Sequence, residues 1–192
     1  MLKLLIPILL VSCGVDQGLV DKFTAKHRHY KIHTDVPERL HEPIHRAAYQ
    51  WNAVIGYEVL IYDGTTSESF KDSLTGDDEN VIYNEHPNYS QATATTKTKH
   101  IGFKPFEFDI FLNTKLRDFQ DVDKPHIQGL HFEKINDMES VMLHEFGHAL
   151  GLQHIDNIDS VMYRSFDGEY GVKKRELQTE EKEQIKNIWS DS

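Results

Sequence analysis

The chain has 192 residues, of which 39% are hydrophobic and 10% aromatic, so it can form a core and is not disordered throughout. Its 31 acidic and 21 basic side chains give a formal net charge of −10, without any basic stripe along the sequence. Because phosphate binding requires concentrated Lys and Arg, this balance argues against a nucleic-acid partner.

The N-terminus has the features of an export signal. Lys3 precedes a short apolar stretch at residues 4–11, which cannot span a bilayer because spanning takes about 20 residues. The run Leu-Val-Ser-Cys-Gly at residues 10–14 resembles the lipobox of bacterial lipoproteins. In that family the cysteine becomes the first residue and is acylated. Cys13, the sole cysteine of the chain, is therefore the predicted lipidation site.

These features predict three segments. Residues 1–12 form a lipoprotein signal peptide, residues 13–27 form the lipidated N-terminus and a tether, and residues 28–192 form one folded domain. Gly14 stands where some bacteria use aspartate to retain lipoproteins in the inner membrane, so an outer-membrane or cell-envelope location is favoured. Two alternatives to a lipoprotein signal are a plain signal peptide with an incidental cysteine and a buried N-terminal strand.

The first half of the domain is predicted to contain one long helix among several strands. Asp35 can cap the helix, Pro37 suits its first turn, Glu38 completes a capping box, and Gly56 can end it. Apolar residues recur between them at helical spacing. Alternating or β-branched segments predict strands at residues 28–33, 58–62, 81–83, 92–99 and 107–113.

The second half is predicted to contain two more helices. After an irregular stretch at residues 114–135, Asn136 or Asp137 can cap a helix that Gly151 stops. A last helix is predicted over residues 179–189. Because helices and strands are mixed rather than strictly alternating, the predicted fold class is α+β.

The helix before Gly151 contains the pattern His-Glu-x-x-His-x-x-Gly-x-x-His. His144 and His148 are four residues apart, so their imidazoles project from one helical face and can bind one Zn²⁺. Gly151 can turn the chain so that His154 supplies a third ligand. Three protein ligands leave a fourth position for water, as in catalytic zinc sites. Glu145 can take a proton from that water as general base and pass it to the leaving group.

The complete pattern resembles the metzincin clan of zinc peptidases, and its wording is similar to the matrixins and their bacterial relatives. The run Ser-Val-Met-Tyr at residues 160–163 resembles the Met-turn of that clan. The resemblance implies that Met162 lies beneath the zinc as an apolar floor and does not bind it. It also implies a metzincin-like catalytic domain over residues 28–192.

The resemblance has further structural implications. It implies a twisted mixed β-sheet, an active-site helix and a small C-terminal subdomain. Extended substrate is expected along an edge strand, near either residues 107–113 or residues 127–135. The wall of the substrate pocket is expected from the four residues just after Met162: Tyr163, Arg164, Ser165 and Phe166.

The chain departs from the matrixin pattern in its expected metals and latency. Latency through a thiolate on zinc is not expected, because Cys13 is the sole cysteine. His126 and His131 lie where a structural zinc and calcium cluster would be sought, but the surrounding pattern is not convincing. Residues 77–79, Asp-Asp-Glu, could bind Ca²⁺, although a solvated acidic loop is favoured. One catalytic Zn²⁺ is the predicted cofactor.

The sequence therefore predicts a zinc-dependent endopeptidase that acts on proteins or peptides and is tethered to a membrane through acylated Cys13. One alternative is a catalytically silent zinc-containing binding or adhesion lipoprotein, against which the intact Glu145 argues. Another is a zinc hydrolase of non-peptide amides. Cleavage assays with protein and non-protein substrates would separate these hypotheses.

Overall fold

The computed structural model describes residues 26–71, 77, 79–85, 92–101, 104–124, 135–164 and 174–189. Its strands are β1 (Arg28–His33), β2 (Leu60–Thr66), β3 (Val81–Tyr83), β4 (Ala94–Ile101), β5 (Lys104–Leu112), β6 (Asp118–Gln120) and β7 (Ile135–Asp137). Its helices are α1 (His41–Ile55), α2 (Met138–Ala149) and α3 (Thr179–Trp189). These elements confirm the predicted α+β class.

The main sheet has five strands in the order β2-β1-β3-β5-β4. Strands β2, β1, β3 and β5 run parallel, and β4 pairs antiparallel to β5. Strands β6 and β7 form a separate parallel pair. Consequently β4 is an edge strand, and the segment near residues 107–113 is internal, so the expectation that this segment forms the substrate edge is wrong.

Several predicted features lie outside the described residues. These include the signal peptide, Cys13 and most of the tether, as well as His126, His131 and nearly all of the alternative edge segment at 127–135. Ser165 and Phe166 of the predicted pocket wall also lie outside them. Where helices are described, none combines the length and apolar character required to cross a membrane.

The start of helix α1 differs from the prediction. A 3-10 turn at Glu38–Leu40 precedes the α-helix, and no side chain caps either element. Instead of capping the helix, the exposed Asp35 lies with its carboxylate 3.5 Å from His33 Nδ1. The capping box was therefore a wrong prediction. The helix end agrees with expectation, because Gly56 has a left-handed φ of 94° and donates its N–H to Asn52 O at 2.9 Å.

Two buried tryptophans attach helix α2 to the rest of the core. Trp51 of α1 donates its indole N–H to Leu143 O at 3.0 Å, and Trp189 of α3 donates to Leu150 O at 3.0 Å. Both rings are almost fully buried, so each combines a large apolar contact with a satisfied polar group. Helix α2 is therefore held near its middle and just beyond its C-terminal end.

Two arginines support the N-terminal end of α2. Asp137 caps this helix by accepting the N–H of Ser140 at 3.1 Å, as predicted. Arg175 donates to both carboxylate oxygens of Asp137, at 2.7 and 2.5 Å. Arg46 of α1 makes a single hydrogen bond to Glu139, from its Nε to Oε2 at 2.7 Å. Bidentate guanidinium–carboxylate contacts are directional, so this network fixes where the helix begins.

Asp109 of β5 is a buried carboxyl whose titration should affect stability. Burial raises its pKa to about 7, although the Val81 N–H donates to its Oδ1 at 3.2 Å. Because the folded pKa exceeds the unfolded value, the folded chain binds the extra proton, and stability falls as pH rises from about 4 to about 7. We expect Asp109→Asn to remove this loss of unfolding free energy. The size of the pKa shift makes the loss about 2–4 kcal/mol.

Urea denaturation at several pH values measures this difference in unfolding free energy between Asp109→Asn and the unmodified chain. The difference should grow in favour of the variant between pH 4 and 7. Asp63→Asn, which alters an exposed carboxylate on β2, is the matched control. Parallel pH profiles for the Asp109→Asn variant and the unmodified chain would contradict the prediction.

Candidate metal centre and active site

The three histidines of the motif converge on one point. The Nε2 atom of His148 lies 3.1 Å from that of His144 and 3.3 Å from that of His154. Two nitrogens bound to tetrahedral zinc at about 2.05 Å lie about 3.3 Å apart. Of the described residues, these three form the one group of histidine, cysteine or acidic side chains with metal-binding spacing. The two separations from His148 match the spacing expected around a single zinc ion.

The protonation of two rings also fits a metal. His144 donates its Nδ1–H to Val161 O at 2.7 Å, and His148 donates its Nδ1–H to Leu152 O at 2.9 Å. Burial, followed by the effect of His148, lowers the pKa of His144 to about 3, and burial lowers the pKa of His148. Both rings are therefore neutral, and their Nε2 lone pairs face each other. A cation between them removes that repulsion.

The end of helix α2 explains how His154 reaches the other two. Gly151 has a φ of 105°, in the left-handed region. Its N–H donates to His148 O at 3.0 Å, and the N–H of Leu152 donates to Gly147 O at 2.9 Å. This is a Schellman motif, which reverses the chain at the end of the helix. The same turn presents the Leu152 carbonyl that orients His148.

Met162 lies against the helix that carries the histidines. Its side chain is fully buried, and a Cβ added to Gly147 would overlap its Sδ and contact Trp51. The glycine of His-Glu-Phe-Gly-His is thus required for close approach between helix and turn. The main chain closes the intervening loop, because the Ile155 N–H donates to Met162 O at 3.0 Å.

Glu145 is buried beside the histidines and contacts the edge strand. Burial raises its pKa to about 7, while a hydrogen bond from Thr96 acts in the opposite direction. Thr96 of β4 donates its hydroxyl to Glu145 Oε2 at 2.5 Å, and the same hydroxyl lies 3.1 Å from the Glu145 main-chain oxygen. The candidate base is therefore fixed between its helix and the sheet edge.

Glu181 is a buried site residue that was not identified from the sequence. Its side chain is fully buried on α3, where its Oε1 accepts hydrogen bonds from the Ser160 hydroxyl and, at 3.3 Å, from the Met162 N–H. Its Oε2 accepts the N–H of Gln178 at 2.7 Å. The sequence signal was weak, since glutamates in the first turn of a helix are usually solvated. Glu181 joins the last helix to the Met-turn.

The predicted pocket wall is only partly described. Tyr163 is half-buried, and Lys174 Nζ lies 4.7 Å from its ring centroid. Arg164 is exposed, and after burial it is the second cause that lowers the pKa of His154. Arg164 therefore lies near enough to His154 to affect its titration, and Tyr163 directly follows Met162 in the chain.

Comparisons with known proteins agree with this geometry. The family model for Matrixin matches residues 22–190. Matrix metalloproteinase-A of Caenorhabditis elegans is 30% identical over 126 residues, which are 65% of this chain and 21% of that protein. The chain thus spans about a fifth of the length of this relative. The family match covers most of the chain, including the three histidines and the Met-turn, and the chain therefore belongs to the matrixin family.

Proposed function

We propose that the chain is a zinc-dependent endopeptidase that cleaves protein or peptide substrates. The observation that carries the proposal is the convergence of three Nε2 atoms, with neighbouring separations of 3.1 and 3.3 Å. His144, His148 and His154 would hold the ion, and Glu145 lies next to the first of them. Membership of a peptidase family supports the same chemistry.

Each residue of the site has a separate role in the proposed mechanism. When bound, zinc would supply Lewis acidity, which lowers the pKa of a water toward about 7. Glu145 accepts the proton of the attacking water and then delivers it to the departing amine, so it acts as general base and then as general acid. The carbonyls of Val161 and Leu152 hold the rings of His144 and His148 in the required tautomer.

The edge strand β4 is the proposed binding surface for an extended substrate. It is the outer strand of the sheet on the side that contacts α2, and its Thr96 reaches Glu145. A substrate strand that pairs with a sheet edge is held through its main chain, so affinity depends little on side chains. The pocket that selects substrate side chains is proposed to be shaped by the four residues after Met162, namely Tyr163, Arg164, Ser165 and Phe166.

The test combines metal content with cleavage. The purified chain, prepared without chelator, should contain one zinc and cleave casein or members of a peptide library, and a chelator should stop cleavage. His148→Ala removes the nitrogen shared by both close pairs, so this variant should lose zinc and activity together. His29→Ala alters an exposed histidine on β1, away from the proposed binding strand, and serves as a control. A folded chain that contains no zinc would refute the proposal.

The alternative of a silent zinc-binding protein predicts a different result. In that case zinc would be retained at one per chain, while no protein or peptide substrate would be cleaved. A hydrolase of non-peptide amides would cleave only those substrates in the same preparation. The burial of Glu145 next to the histidines favours the peptidase, because an unused buried carboxyl is costly. Membrane anchoring through Cys13 stays a prediction from the sequence.

A further inference from the structure

The hydroxyl of Thr96 makes the one hydrogen bond that the described residues offer to the Glu145 carboxylate. It donates to Oε2 at 2.5 Å, and no described residue donates to Oε1. Glu145 is buried, with 5% of the residue exposed. The two oxygens of this carboxylate are therefore not equivalent.

The position of Thr96 is itself firmly determined. Strand β4 pairs with β5 along its whole length, and Thr96 lies opposite Ile110, which is fully buried. The hydroxyl also lies 3.1 Å from the main-chain oxygen of Glu145. Because the threonine is β-branched, its side chain has few rotamers, so a rigid strand presents its hydroxyl at a defined place.

We propose that Thr96 is a positioning residue that directs the Glu145 carboxylate for catalysis. By donating to Oε2, it fixes the orientation of the carboxylate, and Oε1, to which no described residue donates, is the atom that receives the proton of the attacking water. This inference rests on the proposed function. A proton transferred between well-oriented groups needs no reorientation of the carboxylate in the transition state.

The inference predicts a selective kinetic effect. Thr96→Val keeps the shape of the side chain but removes the donor, so kcat should fall about 10- to 100-fold, as expected for a misplaced catalytic group. KM should stay within about twofold, since an effect confined to kcat indicates an interaction made in the transition state. Thr96→Ser restores the hydroxyl and should recover kcat to within about threefold. Zinc content should equal that of the unmodified chain in both variants.

Thr65→Val provides the matched control, because Thr65 is exposed on β2 at the opposite edge of the sheet. It should leave kcat and KM unchanged. The inference would be overturned by unchanged kcat in Thr96→Val, by a rise in KM alone, or by failure of Thr96→Ser to recover activity.

A crystal structure of the zinc-loaded chain tests the contact without any activity. We expect Thr96 Oγ1 to lie within hydrogen-bond distance of one Glu145 carboxylate oxygen, and the carboxylate to turn away or become disordered in Thr96→Val. Separation of the two groups beyond hydrogen-bond reach in the unmodified chain overturns the inference. If the chain cleaves no substrate, the proposed function fails, and the crystal structure still decides whether Thr96 orients Glu145.

Discussion

Replacement of Glu145 by glutamine is expected to lower kcat for peptide hydrolysis by about 10²- to 10⁴-fold, the usual contribution of a general acid–base group. Glutamine has the same shape and can still accept the Thr96 hydroxyl through its amide oxygen, but it cannot take up a proton. None of the three histidine nitrogens changes. The variant should therefore retain one zinc per chain, which metal analysis after gel filtration would measure.

Glu38→Gln is a suitable control, because it makes the same chemical change at an exposed position before α1. This control should cleave peptides at the rate of the unmodified chain. If Glu145→Gln cleaved peptides at a comparable rate, the assignment of Glu145 as general base would be wrong. If Glu145→Gln lost its zinc instead, its kcat would have to be compared with that of the unmodified chain at saturating zinc.

Replacement of Glu181 by alanine is expected to lower the free energy of unfolding by about 3 kcal/mol or more. The variant leaves the Ser160 hydroxyl and the Gln178 N–H without their acceptor, whereas the Met162 N–H keeps Ser160 Oγ at 2.9 Å. Each buried donor that loses its partner costs about 1–3 kcal/mol. Urea denaturation of the metal-free chain would measure this loss.

The same variant should weaken zinc binding by about 10- to 100-fold, because the Met-turn carries the Val161 carbonyl that orients His144. Competition with a chelator dye would measure this affinity. Glu183→Ala, at an exposed position on the same helix, should change stability by less than about 0.5 kcal/mol. Equal effects of the two substitutions would show that Glu181 does not support the Met-turn.

Local sequence patterns identified most elements of the fold. Strands β1 and β3 and helix α3 have the predicted bounds, and Asp137 and Gly151 act at the ends of α2 as expected. These features depend on residues close together in the chain. The capping box is a local exception, because the Asp35 carboxylate lies near His33 and no side chain caps the 3-10 turn or helix α1.

The features that sequence reasoning missed depend on contacts between distant segments. Thr96 is 49 residues from Glu145, and Glu181 is 21 residues from Ser160. Each is an ordinary residue for a strand or a helix start, so only the packed chain shows its partner. Of the two segments between which the sequence left the substrate edge open, 107–113 is internal in the sheet, because strand order is not encoded in local alternation.

The hydrogen bond from His144 to the Val161 carbonyl also bears on when the metal centre forms during synthesis. All three histidines emerge from the ribosome before Val161, so a nascent chain that ends soon after His154 has every ligand but lacks the acceptor that orients His144. Metal binding and folding are coupled in such sites. Tight metal binding is therefore expected only after the segment that carries Val161 has packed against helix α2.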